Sequence, residues 1–464
     1  MIMRRFLSVL ERFPMRREID MLNGGFAKKI LQFAIPLALT GILQQFFNAA
    51  DVMVVGRFAS KIAMAAVGCN TPVIGIVVNL FVGISTGATV VIAKCIGKGD
   101  RDGVKKAVHT AVFLSLVCGS VMALLALSVS SRIMSLLSVP EEVLPMALSY
   151  FWIYISGLPA ILLYNFESAI FRSRGDTNTP LVCLVAAGIV NVLLNLFFVL
   201  VLKMGASGVA IATVISNILS SGAMFIVLLR SKSDVGIEFH KIRADHASLL
   251  EILRIGIPAG VQSMVFALSN IIIQSAINSL GADVMAASAA AFNTEIFAYF
   301  IVNAFGQACT AFIGQNYGAG KLDRCRKVTI HAFWMDCVFT AAVALPIIIF
   351  SRELLSLFNG DPAVIEYGRT RILYITSFQL LNLSVEIMSG SLRGYGNSLA
   401  PALIALLGIC VTRVIWVLTV FPMDHTYSTL LACYPISWSI TAAIMLVYYF
   451  WFMRVALKRK VAGI

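Results

Sequence analysis

Asp51 is an acid set in a long apolar run, with Gln44 and Asn48 seven and three residues before it. At those spacings all three share one face of a helix. Asn191 and Asn195 stand four residues apart in a second apolar run, and Thr213 lies several residues into a third. At 1.5 Å per helical residue, Asp51 lies about 9 Å, Asn195 about 12 Å and Thr213 about 9 Å from the same end of their runs. A carboxylate, two amide oxygens and a hydroxyl at one depth are hard-oxygen ligands that suit Na⁺. The carboxylate by itself would instead carry a proton, as buried acids do in membrane relays. Asp51, Asn191, Asn195 and Thr213 are therefore the candidate cation-coupling and Na⁺-ligating set, with Na⁺ and H⁺ both open.

A second group of polar side chains would line a substrate cavity. Asn270, Gln274 and Asn278 recur every four residues, and Gln379, Asn382 and Glu386 fall at i, i+3 and i+7. Gln44 and Asn48 would join them, and Glu295 and Glu386 would attract a cationic solute. Asp336 lies about 14 Å from Lys327 along its run. Arg413, in the middle of an apolar run, needs a partner, for which Glu295 or Asp336 is available. Glu167 is five residues from Arg172 and reads as an ion pair near the membrane surface.

The elements that carry these residues must be membrane helices. The chain is 59% hydrophobic and 13% charged, whereas soluble domains run at about 45–50% and about 25%. Apolar runs of roughly 20 residues, the length that crosses a bilayer as a helix, recur throughout. They lack the alternation of barrel strands. The pattern predicts twelve spans, at 30–56, 66–93, 107–131, 145–171, 181–202, 207–229, 251–279, 285–314, 328–350, 366–391, 401–421 and 428–452. The net charge of +13 reads as basic cytoplasmic loops rather than a nucleic-acid surface. On one side lie 28 Lys and Arg, against seven on the other (Arg371 among these), with Arg413 inside a span. By the positive-inside rule both termini are cytoplasmic. The N-terminal residues hold five arginines up to Arg17 but no long apolar stretch, so a signal peptide is not expected. Met15 or Met21 is an alternative start.

Several chemistries lack their residues. The nine cysteines form no C-x-x-C pair, the histidines show no H-E-x-x-H spacing, and no P-loop occurs. We expect neither an enzyme nor a bound cofactor.

The chain also repeats itself. Ile30-Leu31 and Ile35-Pro36 return as Ile252-Leu253 and Ile257-Pro258; Ile92–Lys106 returns as Ile313–Lys327; Arg172, Gly175 and Pro180 return as Arg393, Gly396 and Pro401. The interval is about 221 residues. Six spans separate equivalent points, so the halves share one orientation, as parallel transporter repeats do. The expected segments are a cytoplasmic lead-in at 1–29, an N-lobe at 30–230, a cytoplasmic inter-lobe loop at 231–250, a C-lobe at 251–453 and a basic cytoplasmic tail at 454–464.

These repeated segments resemble the signatures of the MATE (multidrug and toxic compound extrusion) family, closest to its bacterial NorM, DinF and MepA branches. They are Ala50-Asp51 with Gly56, Gly314-Gln315-Asn316-Tyr317-Gly318-Ala319-Gly320, and Leu392–Asn397 with its partner Arg172–Pro180. The resemblance implies an all-α integral membrane fold of twelve helices in two pseudo-symmetric six-helix lobes. It also implies multidrug efflux by alternating access, with organic, often cationic, compounds leaving in exchange for Na⁺ or H⁺. The setting would be the bacterial inner membrane, and the protein would be monomeric. Asp51, Asn191 and Thr213 fall on the family's coupling positions, and Asn195 stands where the family often has Asp. Asn382 matches the position of a span-ten acid in NorM-type proteins. A lipid-linked oligosaccharide flippase of the same superfamily is the alternative. It would require a basic central cavity, and the charge count leaves only Arg413 inside a span, with Arg254, Arg369 and Arg371 assigned to the ends of theirs.

Overall fold

A computed structural model describes residues 18–137 and 139–461, with side chains up to residue 455. The predicted lead-in before Glu18, with the alternative start at Met15, and the side chains of the basic tail beyond Val455 lie outside the described residues. Among these the chain is helical, with no β-strand. Ten helices are long and apolar enough to cross a membrane, and two bent pairs raise the number to twelve. Spans one to three are Ala27–Phe58, Lys61–Lys98 and Arg101–Ser128. Span four is Leu144–Ser156 with Leu158–Ser173, bent by 44°; spans five and six are Asn178–Val201 and Gly205–Arg230. Spans seven to nine are His246–Asn278, Ala282–Gly318 and Leu322–Ile349. Span ten is Pro362–Thr376 with Gln379–Gly394, bent by 41°; eleven and twelve are Leu399–Thr419 and Tyr427–Val455. Each agrees with its expected range to within a few residues.

The bend in span four has a local cause. Pro159 has no N–H, and its ring crowds the carbonyl of Ile155 one turn earlier. The chain closes that turn through Gly157 N–H to the Tyr154 carbonyl at 3.1 Å. Large apolar side chains such as Leu124, Val338 and Leu418 are exposed, which only a lipid environment tolerates in such numbers.

The repeated motifs turn out to close helices. Gly99 and Gly320, 221 positions apart, have φ of 71° and 70°; Gly175 and Gly396, also 221 apart, have φ of 89° and 90°. This left-handed backbone lets a helix end at once, and glycine adopts it without a Cβ clash. Asn316 donates to the Met21 carbonyl at 3.0 Å and the Phe312 carbonyl at 2.7 Å. Asp176 accepts the backbone N–H groups of Asn178 and Thr179, both at 3.0 Å. The short helices Ser130–Leu136 and Ser351–Ser356 start at equivalent positions too.

The chain divides into two compact units. One holds Leu39–Gly256; the other holds Asp20–Ala38 together with Ile257–Ile464. In the first unit the loop after span six is fastened to span three. His109 accepts the Glu238 N–H through Nε2 at 3.0 Å, while its Nδ1 lies 2.7 Å from the Lys105 carbonyl. Asp245 caps span seven and donates its own N–H to Thr110 at 2.9 Å. The backbone N–H and hydroxyl of Ser248 hold the Asp245 carboxyl below the usual carboxylate range. Small residues let helices touch: a Cβ on Gly87 would lie 2.3 Å from the Ile252 carbonyl oxygen.

In the second unit, spans eight and ten make the same kind of contact. A Cβ on Gly390 would lie 2.2 Å from the Gly306 carbonyl oxygen, and Thr310 donates to the Gly390 carbonyl at 3.0 Å. Gly390→Val should therefore separate these spans and lose about 1–3 kcal/mol, the usual cost of overpacking. A lowered thermal midpoint in detergent would register this; an unchanged midpoint would mean that the contact is slack.

Candidate functional site

Glycine sets the register between spans one and five. A Cβ on Gly188 would fall 2.0 Å from the Phe47 ring, so only glycine admits that ring. Asp51 follows Phe47 by one turn on the same face of span one, and Asn191 and Asn195 follow Gly188 by one and two turns on span five. Seating Phe47 against Gly188 thus sets Asp51 opposite the asparagine pair. Spans five and six pack closely together, and Thr213 faces inward from span six.

The four candidate cation-coupling residues meet within this unit. Asn195 Nδ2 donates to Asp51 Oδ1, and Thr213 Oγ1 lies 3.1 Å from Asp51 Oδ2. Asn191 Nδ2 lies 3.4 Å from Thr213 Oγ1. Asn195 Nδ2 also lies 3.2 Å from Asn191 Oδ1. Both asparagines are buried, and Asp51 and Thr213 are half-buried. The Asn195 Oδ1 atom is sealed and accepts no hydrogen bond among the described residues. Immediately after Asn195 the helix widens into a π turn, Phe197–Val201, a distortion frequent at functional sites. The set has one acid and two amide N–H donors turned toward acceptors. It can hold a single negative charge in a low-dielectric setting and release or take up one cation there.

The candidate cavity residues are more dispersed. Gln44 and Asn48 are exposed on span one, and Asn270, Gln274 and Asn278 on span seven, where Gln274 donates to Asn278 at 2.9 Å. Gln379 and Asn382 are buried and bonded to each other at 3.1 Å. Glu386 is half-buried. Asp336 is sealed: Oδ1 accepts from Thr340 at 2.9 Å, and Oδ2 has no partner among the described residues.

Three expected pairings are corrected. Arg371, counted from sequence with the outer-side basic residues although the expected span 366–391 contains it, lies inside span ten and is buried. It binds Glu295 Oε1 through Nη2 at 2.7 Å and Nε at 3.3 Å, and Ser288 at 2.7 Å. Glu295 is thus engaged by Arg371 rather than by Arg413, and its carboxylate is not open to a solute. Arg413 meets neither Glu295 nor Asp336. It donates to Ser437 at 3.1 Å and stacks on Tyr434 and Trp438 at 4.2 and 5.6 Å. Glu167 does not pair with Arg172, five residues away: both carboxylate oxygens are sealed without a partner among the described residues. On a helix, residues five apart point to different faces. The role of Arg371 was hidden because Arg369, two residues earlier, is a surface residue that pairs with Glu366 at 3.5 Å.

Comparison with known proteins follows the same repeat. The MatE family model matches residues 36–197 and again residues 258–419. The chain is 26% identical over 390 residues to a probable multidrug resistance protein NorM of Thermotoga maritima, covering 83% of this chain and 84% of that one. It is 27% identical over 387 residues to the probable multidrug resistance protein YoeA of Bacillus subtilis, covering 81% and 83%. Its fold matches the outward-facing conformation of a multidrug resistance MATE family transporter with a TM-score of 0.87 at 20% identity, over 96% of this chain and 99% of that one. The twelve apolar spans, the duplicated motifs and the two family matches lead to one conclusion: the chain belongs to the MatE family of multi-pass membrane transporters.

Proposed function

We propose that the protein exports organic compounds, often cationic, in exchange for an inward-moving ion by alternating access, and that Asp51 is where this ion binds. The observation that carries the reading is the convergence of Asp51, Asn191, Asn195 and Thr213 from three spans of one unit. Of the two candidate ions the arrangement favours H⁺. The set holds one formal charge, and amide nitrogens occupy directions that oxygen ligands would need around Na⁺. A proton requires only the carboxylate. The basic loops on one side support a cytoplasmic placement of both termini in a cell inner membrane, with the monomer as the working unit. Its partners in this reading are drug-like solutes, the coupling ion and the bilayer, with no nucleic acid.

The test is dye transport by the protein in liposomes under one imposed gradient at a time. A pH gradient should drive accumulation of a fluorescent organic cation, and a Na⁺ gradient at equal pH should not. Accumulation under Na⁺ alone would make Na⁺ the ion. No accumulation under either would remove the export reading.

A further inference from the structure

The second half carries a cluster of opposite charge where the first half carries its acid site. The 221-residue interval sets Thr213 against Tyr434, Asn195 against Trp416, Tyr150 against Arg371, and Asn191 against Thr412, the neighbour of Arg413. The positions matching Asp51 are occupied by Ile272 and Ile273. Where the first half places Asp51, the second half has isoleucine, and two guanidiniums stand at or beside the residues matching its polar neighbours.

Their charges do not balance. Arg371 is neutralised by Glu295, both nearly sealed. Arg413 is 6% exposed and has no carboxylate within ion-pair distance among the described residues. Its ring partners, Tyr434 and Trp438, attract a cation but carry no charge. Tyr434 lies between the two arginines, with Arg371 Cζ 6.0 Å from its ring. Two cations and one anion therefore share a desolvated cluster. A buried charge is tolerated when it is paired and hydrogen-bonded. The Nη groups of Arg413 donate to nothing among the described residues. A guanidinium offers them as a planar fork that matches the two oxygens of a carboxylate or phosphate.

We propose that the Arg413 cluster binds the carboxylate or phosphate of an organic solute, with Arg413 as the fork and the Trp438 and Tyr434 rings fixing its plane. The site requires two acceptor oxygens, so a carboxylate or phosphate is preferred to chloride. The aromatic walls favour an organic body over inorganic phosphate.

Binding tests this without reference to transport or to the coupling ion. The purified full chain in chloride-free detergent buffer is titrated with benzoate, phenyl phosphate, inorganic phosphate, chloride and the neutral benzamide, following the thermal midpoint and tryptophan fluorescence. Benzoate or phenyl phosphate should raise the midpoint in a saturable way, and benzamide should not. Arg413→Gln should abolish that shift, and Asp51→Asn should leave it intact. Arg413→Lys, which keeps the charge but not the fork, should weaken binding about tenfold or more, as loss of a charge-assisted hydrogen bond implies. It serves as the deciding variant if Arg413→Gln does not fold. The proposal is overturned if neither organic anion binds, if Arg413→Lys binds as tightly as the parent, or if chloride saturates the same site as well as benzoate does.

Discussion

Asp51→Asn should leave a folded protein whose gradient-driven export has fallen to the leak of protein-free liposomes. The substitution keeps the shape of the site and its hydrogen bonds. The new amide oxygen accepts from Asn195, the new amide nitrogen donates to Thr213 Oγ1, and the Thr213 hydroxyl keeps its 2.9 Å bond to the Val209 carbonyl. What disappears is the titratable charge. An ion can shift a conformational equilibrium only by its difference in affinity between the two states, and a neutral amide gives a proton no such difference. Downhill exchange of one dye molecule for another, which needs no ion, should persist. Asp51→Ala should differ: Thr213 keeps the Val209 carbonyl and Asn195 keeps Asn191 Oδ1, but one buried Asn195 N–H loses its acceptor, at about 1–3 kcal/mol for an unsatisfied group. Export by Asp51→Asn at the parent rate would move ion coupling away from this site.

Glu295→Gln should be the most damaging single change to stability among the buried charges. Glu295 and Arg371 meet at 2.7 Å with side chains 8% and 6% exposed. Replacing one partner leaves an uncompensated guanidinium in low dielectric, with an expected loss of about 3–5 kcal/mol. The cluster already contains Arg413, so the variant would hold two unneutralised cations side by side. Adding Arg371→Gln to Glu295→Gln should restore part of the loss, since it removes the stranded charge as well. The thermal midpoints of the parent, both single variants and the double variant form a cycle that isolates the pair. A single variant as stable as the parent would mean that water reaches the pair.

The extent of the fold was legible in the chain because crossing a bilayer is a local requirement. Each span needs about 20 apolar residues whatever its neighbours are, so hydropathy alone placed all twelve within a few residues of their helices. The repeat was equally legible, since Gly99 and Gly320, or Gly175 and Gly396, answer to one backbone conformation. Asp51, Asn191, Asn195 and Thr213 could be grouped by depth, which a helix converts directly from residue number. Hydrogen-bond partners could not be read in this way. They depend on how far each helix is rotated and how closely it approaches the next, and small contacts such as Gly188 against Phe47 decide both. For the same reason Arg371 read as an outer-side residue, Arg413 was assigned acids that it does not meet, and Glu167 was given a partner on the wrong face. The sequence by itself determined the membrane spans, their duplication and the depth of each polar group. Only the tertiary structure decided which polar groups meet, because a buried charge is satisfied by neighbours in space, and helix packing chooses those neighbours.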